Sequence, residues 1–485
     1  MTERTFSAIL ADRARAAPDA PLVIDSEGAL TAAELDAAAT AFAHALLDLG
    51  VGRDDTVAVC LPNGRDYVIA CCGIWRAGAT PQPMPTGLTA SERAELEVVS
   101  APVAAVGRRP VSPHIAWLPS ARIESRGGAV PDAAASCWKA VATSGSTGRP
   151  KIVRAAAPAS LDLSRPVASF LPRAGTQIVA GPLWHSAVFT YAFRGLLTGH
   201  RLVVLDRFEA ARWVDRVEEH AVTWGLLVPT MMARLLRLPD TLRAPSRVTS
   251  LERVLHLGAP CAPALKRRFM QWLGPERVDE VYAGSESNGL TFIGGTEWMQ
   301  RPGSVGRPVG GTEVRIRDES GAALAPGEAG AVWMRRGTSA AYAYLGALSR
   351  RDDEGWDTLG DVGYLDADGY LYLVDRADDL INRGGEKIAP AVVEAALESL
   401  PGVDEAVAFG VPDDDLGEVV HAAVRLTVSA RIDRIEAQIR ARLGARAPVA
   451  LHPTTADLRN EAGKTRRSEL AARFAPTGER PPVTR

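Results

Sequence analysis

The chain has little of what would mark a secreted, membrane-bound or nucleic-acid-binding protein. Its 485 residues include five cysteines, Cys60, Cys71, Cys72, Cys137 and Cys261, an odd and scattered set with no C-x-x-C pair and no metal-ligand spacing. That argues against a disulfide framework and for small buried thiols in a reducing compartment. No uninterrupted apolar run approaches membrane-spanning length. The opening Met-Thr-Glu-Arg-Thr is not a basic segment leading into an apolar one, so no secretory leader is expected. An excess of one charge is missing too. Lys and Arg number 55 against 58 Asp and Glu, a net charge of -3 that offers no global field for nucleic acid or an acidic membrane. What remains is ordinary, with 46% apolar and 23% charged residues and enough chain for two or more domains. A cytoplasmic globular protein is expected.

Hydrophobic periodicity divides this chain. Residues 30–49 read as an amphipathic helix, with Leu35, Ala38, Phe42, Leu46 and Leu47 mostly at three- and four-residue steps and Thr31 as its cap. Residues 56–61 read as a short buried strand, and 67–77 as a helix ending near Gly78. Strands are expected again at 177–179, 201–205, 224–228 and 253–257, with helices at 211–220 and 231–238. Such alternation predicts an α/β architecture with largely parallel sheets. After about Gly303, short strands at 313–317, 330–335 and 370–374 are separated by Gly, Pro and Asp turns, which predicts a small β-barrel-like unit. The charged stretch 376–383 precedes a new helix–strand pattern from Pro390, so a boundary is expected at 377/378. Residues 1–377 would form a large N-terminal domain of two parallel-rich sheets packed with helices, β-rich over about 303–377. Residues 378–485 would form a small α+β domain whose last ten residues, rich in Pro and Arg, fray.

The most informative stretch is T-S-G-S-T-G-R-P-K over 143–151. Four hydroxyls and two glycines in six positions can turn several N–H and O–H groups toward one anion, because glycine accepts unusual dihedrals and allows close approach. A flexible linker would share this composition. The run is short, ends in Pro-Lys, and lies between the apolar stretches 138–142 and 152–153, which favours a phosphate cradle. It lacks Walker A spacing. Four more stretches accompany it: Tyr282-Ala-Gly-Ser-Glu286, Thr358-Leu-Gly-Asp361, the charged connection 375–388 with its Gly384-Gly385 turn, and the basic segment 460–470 around Lys464.

In this order and at these separations the stretches resemble the adenylate-forming (AMP-binding) enzymes: acyl- and aryl-CoA synthetases, peptide-synthetase adenylation domains and beetle luciferases. The resemblance runs from the first helix to Lys464. Within the family, His256-Leu-Gly-Ala-Pro-Cys, Trp272-Leu-Gly-Pro-Glu-Arg and Gly303-Ser-Val-Gly306 look most like bacterial CoA ligases of the bile-acid and fatty-acyl type. The resemblance implies ATP, Mg²⁺ and CoA as co-substrates and cofactor. It assigns Thr143, Ser144, Gly145, Ser146, Thr147, Gly148 and Lys151 to a triphosphate cradle. Ser285 would meet the α-phosphate, and Glu286 would hold Mg²⁺, a hard cation that prefers carboxylate oxygen. Tyr282 would stack on adenine in a pocket lined by Gly258, Ala259 and Pro260, and Asp361 with Arg376 would take the ribose. Lys464 would bridge the attacking carboxylate and the α-phosphate, a point charge where negative charge collects. His185 would gate and line the acyl pocket. Asp378 would be the hinge of a mobile C-terminal domain that presents first Lys464 and then Gly384-Gly385.

Taken singly, each residue has a bland alternative: Glu286 a solvated acid, Asp361 a turn residue, Tyr282 a core aromatic, Lys464 a surface lysine, His185 a core histidine. Arg194 could meet an anionic substrate group, although an ordinary ion pair is the expected arrangement. The sequence departs from the family pattern at Ala283, where glycine is usual, at Leu359, where threonine is common, and at Leu458 or Arg459, where a proline often precedes the final lysine motif. None of these removes a group that adenylation requires. The expected reaction is activation of a small carboxylic acid followed by thioester formation with CoA. Two alternatives remain open: loading of a carrier protein, or adenylation of nitrite to diazotise an aryl amine in secondary (antibiotic) biosynthesis.

Overall fold

The computed structural model describes residues 3–124, 130, 133–144, 150–428, 430–459, 463, 465 and 467–474. Two sheets carry the large N-terminal part. In one, the strands Thr80–Pro83, Thr56–Cys60, Ala104–Gly107 and Ala116–Leu118 lie side by side and run parallel. The other begins as a parallel block in which Pro21–Asp25, His200–Val204, Gly175–Val179, Trp224–Leu227, Arg253–His256 and Val278–Ala283 are adjacent. Their apolar residues are buried on both faces, as strands covered by helices on either side must be. The covering helices form where the periodicity places them. Ala32–Asp48 starts from a capping box between Thr31 and Glu34 and buries Leu35, Phe42 and Leu46, while Ala210–Glu219 buries Trp213, Val214 and Val217.

From Val278–Ala283 onward the pairing turns antiparallel through Leu290–Gly294, Ser304–Pro308, Leu371–Arg376 and Asp361–Leu365 to Gly330–Arg336 and Thr312–Arg317. The β-rich stretch expected after Gly303 is therefore continuous, strand by strand, with the parallel block. A third, three-stranded antiparallel sheet pairs Ala140–Ser144 and Pro150–Ala155 with Tyr342–Leu345, bringing the ends of the hydroxyl/glycine loop beside a strand distant in sequence. The C-terminal part has its own five-stranded sheet, built around the long hairpin Val403–Asp413/Gly417–Leu426, and its own core around Val393, Leu397, Val420 and Ile435. The architecture is α/β, with a large N-terminal and a small C-terminal domain.

Four cysteines are buried and Cys261 is half-buried; none is disulfide-bonded. No helix among the described residues is long and apolar enough to cross a membrane.

Candidate active site

In a parallel α/β sheet, ligands bind beyond the carboxyl ends of the strands, where loops leave the sheet. Here Val228, Leu257 with Gly258, and Tyr282 occupy those ends on adjacent strands. Gly258 has φ +89°, a left-handed conformation that lets the chain turn sharply off its strand, and Ala259 and Pro260 follow it.

Tyr282 donates a hydrogen bond from its hydroxyl to Asp361 Oδ2 at 2.5 Å. Antiparallel pairing sets Arg376 directly opposite Asp361, and its Nε lies 3.5 Å from Asp361 Oδ1. Burial pushes the Asp361 carboxyl above its ordinary range, against the opposing pull of the Tyr282 hydroxyl and Arg376. The same burial, with the Asp361 charge, drives the Tyr282 phenol well up. The loop that follows Val278–Ala283 turns tightly, with Ser285 in the turn and Ser287 at φ +54°. A Cβ at Gly284 would lie 2.8 Å from Glu286 Oε2 and 2.6 Å from Leu359 Cδ2, so a larger residue there would displace both side chains. Leu359, one of the departures from the family pattern, packs directly against this loop.

Glu286 is buried. Its Oε1 accepts a hydrogen bond from the Tyr344 hydroxyl at 2.6 Å and lies 3.4 Å from Lys151 Nζ. Lys151 in turn donates to the Tyr344 oxygen at 2.8 Å and sits over its ring. Thr143 pairs with Lys151 across the hairpin, and its buried Oγ1 has no hydrogen-bond partner among the described residues. Ser144 ends the first strand of that hairpin. Gly145, Ser146, Thr147 and Gly148 lie outside the described residues, as does Lys464.

His185 occupies the N-cap position of the helix Ser186–Leu197. It lines a small, mostly apolar void with Gly181, Pro182, Val188, Val228 and Leu257. Gly463 of the C-terminal domain approaches the same strand ends, since a Cβ placed on it would lie 3.6 Å from both Ala259 and Val228. Asp378 is exposed within the short 3₁₀ turn Ala377–Asp379. Gly384 and Gly385, at φ +57° and +86°, form the two-residue turn of the hairpin Ile381–Arg383/Glu386–Ile388. Lys387 of that hairpin reaches Glu319 at 3.0 Å.

The structure thus gathers Thr143, Lys151, His185, Gly258, Tyr282, Ser285, Glu286, Asp361 and Arg376 around the strand ends, and leaves Asp378, Gly384 and Gly385 outside. Two side chains escaped the sequence reading. Tyr344 reads as a strand aromatic, and only pairing with Pro150–Ala155 puts it beside Glu286. Lys139 lies inside the stretch 138–142, taken above as apolar; it is 4% exposed and donates to Ser186 Oγ and Thr190 Oγ1. Arg194 differs from expectation as well. No carboxylate of a described residue lies within salt-bridge distance, and its guanidinium packs over the rings of Trp138 and Phe6 at 4.8 and 5.7 Å.

Residues 10–135 and 140–345 match the family model of the AMP-binding enzymes, and 392–468 match that of their C-terminal domain. A probable CoA ligase of Humulus lupulus is 33% identical over 83% of each chain. The 2-succinylbenzoate–CoA ligase of Bacillus licheniformis is 29% identical over 95% of this chain and 98% of its own. Among solved structures, the o-succinylbenzoate CoA synthetase of Bacillus subtilis in complex with its acyl-adenylate intermediate superposes with a TM-score of 0.81. It is 26% identical and covers 97% of this chain and 98% of its own. The same synthetase is also known with ATP and magnesium bound. The chain belongs to the AMP-binding enzyme superfamily, the ATP-dependent acid–thiol ligases.

Proposed function

We propose the following division of labour for the conversion of a small carboxylic acid and ATP to an acyl-adenylate and then, with CoA, to a thioester. The observation that carries it is the convergence of Lys151, Glu286, Tyr282 and Asp361 with Gly463 at the ends of neighbouring parallel strands. The reaction brings together two anions, a carboxylate and a triphosphate, so catalysis is chiefly positioning and charge compensation.

The side chains suit that load. Glu286 is a buried carboxylate with both recorded hydrogen bonds on Oε1, and Gly284 keeps the space beside Oε2 clear. Oε2 would hold Mg²⁺, which when bound supplies positive charge to the phosphates. Thr143 has a buried hydroxyl in need of a partner, and with Ser144, the 145–148 loop and Lys151 it would cradle the triphosphate. Ser285 would meet the α-phosphate. Tyr282 and residues 258–260 would bound the adenine, and Asp361, steadied by Arg376, would accept the ribose hydroxyls. His185 and the void beside it would take the acyl part of the acid. Lys464, next in sequence to Gly463, would compensate the charge that develops between carboxylate and α-phosphate. The proximity of Gly463 to Ala259 and Val228 supports this role. The boundary at 377/378, the hinge at Asp378 and the later entry of Gly384-Gly385 belong to the same proposal.

Pyrophosphate release, measured over a panel of carboxylic acids with and without CoA, tests the reaction. A cognate acid should release pyrophosphate without CoA and yield a thioester only with it. Lys464→Ala should then reduce pyrophosphate exchange by ~10²–10³ while ATP binding persists, the effect of losing one transition-state contact. Exchange near the wild-type rate in that variant would remove Lys464 from the mechanism.

A further inference from the structure

A buried ammonium or guanidinium is normally paired with an acid, because desolvation of an isolated charge is costly. A buried lysine against the helix that starts after His185 breaks this rule, and a half-buried arginine stands beside it. Lys139 is 4% exposed and is held by two neutral hydroxyls, Ser186 Oγ at 2.9 Å and Thr190 Oγ1 at 2.7 Å. Arg194 continues the same helix face one turn beyond Thr190, and among the described residues it has neither a hydrogen-bond acceptor nor a carboxylate for its guanidinium. Both stand against one indole, with Lys139 Nζ 5.0 Å and Arg194 Cζ 4.8 Å from the Trp138 ring. Burial first, and then the Arg194 charge, pull Lys139 down to about 7, and burial pulls Arg194 down to about 10. The Arg194 charge therefore weighs on an already desolvated Lys139, with the Glu286 carboxylate as a weaker compensation. Such an arrangement is expected where a ligand brings the missing charge.

Its place in the molecule identifies that ligand. Ser186 follows His185 directly, and Ala187 and Val188, the next two residues of the helix, line the void assigned to the acid. The void itself is apolar apart from His185 and small. We propose that the acid activated by this enzyme carries a second anionic group, a carboxylate or sulfonate a few bonds from the reacting carboxylate, and that Lys139 and Arg194 form its subsite. Ser186 and Thr190 hold the lysine in place until the anion arrives. The inference rests on the ligase reading above and names the class of acid that site takes.

The test uses matched pairs of short acids, each a dicarboxylate and its half-methyl ester, assayed by pyrophosphate release. Wild type, Lys139→Met and Arg194→Met are compared, with thermal midpoint and ATP affinity recorded for each. Wild type should favour the diacid in kcat/KM by about 10–100-fold, the range expected for hydrogen bonds to a charged group. Either methionine variant should lower that ratio by about tenfold, chiefly through KM. Arg194→Lys, which keeps the charge, should retain the preference, and it serves as the informative variant if the methionine forms do not fold. A wild-type preference for the half-ester in every pair overturns the subsite while leaving the ligase reading intact. So does an unchanged ratio in folded methionine variants. Release of pyrophosphate with no acid of either kind overturns both readings.

Discussion

At the scale of single residues, the candidate site is held by groups that satisfy each other before any substrate enters. Glu286, Tyr344 and Lys151 form a closed triangle in which the phenol donates to the carboxylate and accepts from the ammonium. The phenol therefore aims Glu286 without being a ligand itself. Tyr344→Phe removes both hydrogen bonds and keeps the ring against Lys151. The Mg²⁺ concentration for half-maximal pyrophosphate exchange should rise by about tenfold, as for other partners that orient a metal-binding carboxylate; an unchanged Mg²⁺ titration would reduce Tyr344 to packing. Legibility in the sequence follows the same line. Tyr282, Ser285 and Glu286 lie in one short motif, and Asp361 and Arg376 pair across the open end of one hairpin, so their order along the chain already announced them. Tyr344 and Lys139 owe their positions to contacts with distant segments, and a lysine between Trp138 and Ala140 carries no local sign that it is buried.

At the scale of elements, local chemistry fixed starts and stops, and long-range pairing fixed neighbours. The first long helix begins where Thr31 and Glu34 can exchange hydrogen bonds, at 3.2 Å into the Thr31 hydroxyl and 2.8 Å into the Glu34 carboxylate. Thr31→Ala removes the acceptor of the Glu34 N–H, while the N–H of residue 31 can still donate to the Glu34 carboxylate. It should cost about 1 kcal/mol of stability in chemical denaturation, with no change in pyrophosphate exchange. A loss below a few tenths of a kcal/mol would mean that water replaces the cap at no cost. Boundaries shifted by one or two residues where a glycine or a cap decided them. The helix expected over 67–77 is Arg65–Arg76, entered from Gly64 at φ +150°. What no local pattern showed was the sheet that joins Pro150–Ala155 to Tyr342–Leu345, since strands so far apart in sequence find each other only through the folded core. The β-rich stretch was legible as strands and turns, but its continuity with the parallel block was not.

At the scale of the whole molecule, several side-chain hydrogen bonds and ion pairs between the two domains lie at the surface, which suits a joint that opens. Arg234 reaches Asp457 at 3.4 Å, Arg237 donates to the Asp404 carbonyl at 2.9 Å, and Lys387 meets Glu319 at 3.0 Å. Partly exposed pairs of this kind contribute little and are easily exchanged. In the present arrangement Gly463 stands over Ala259 and Val228, while Lys387 of the Gly384-Gly385 hairpin meets Glu319. A rotation near Asp378 would reverse their places. Asp378 lies in the first turn of a 3₁₀ segment, where a proline ring is tolerated, and Asp378→Pro would hold φ near roughly −65°. If Asp378 carries the rotation, adenylate formation measured with the cognate acid and no thiol should persist, because the adenylating arrangement remains available. Thioester formation from purified acyl-adenylate and CoA should fall steeply, because Gly384-Gly385 can no longer reach the acyl pocket. Equal losses in both half-reactions would indicate misfolding and refute the hinge. Undiminished thioester formation would place the rotation at another residue of the connection between the domains.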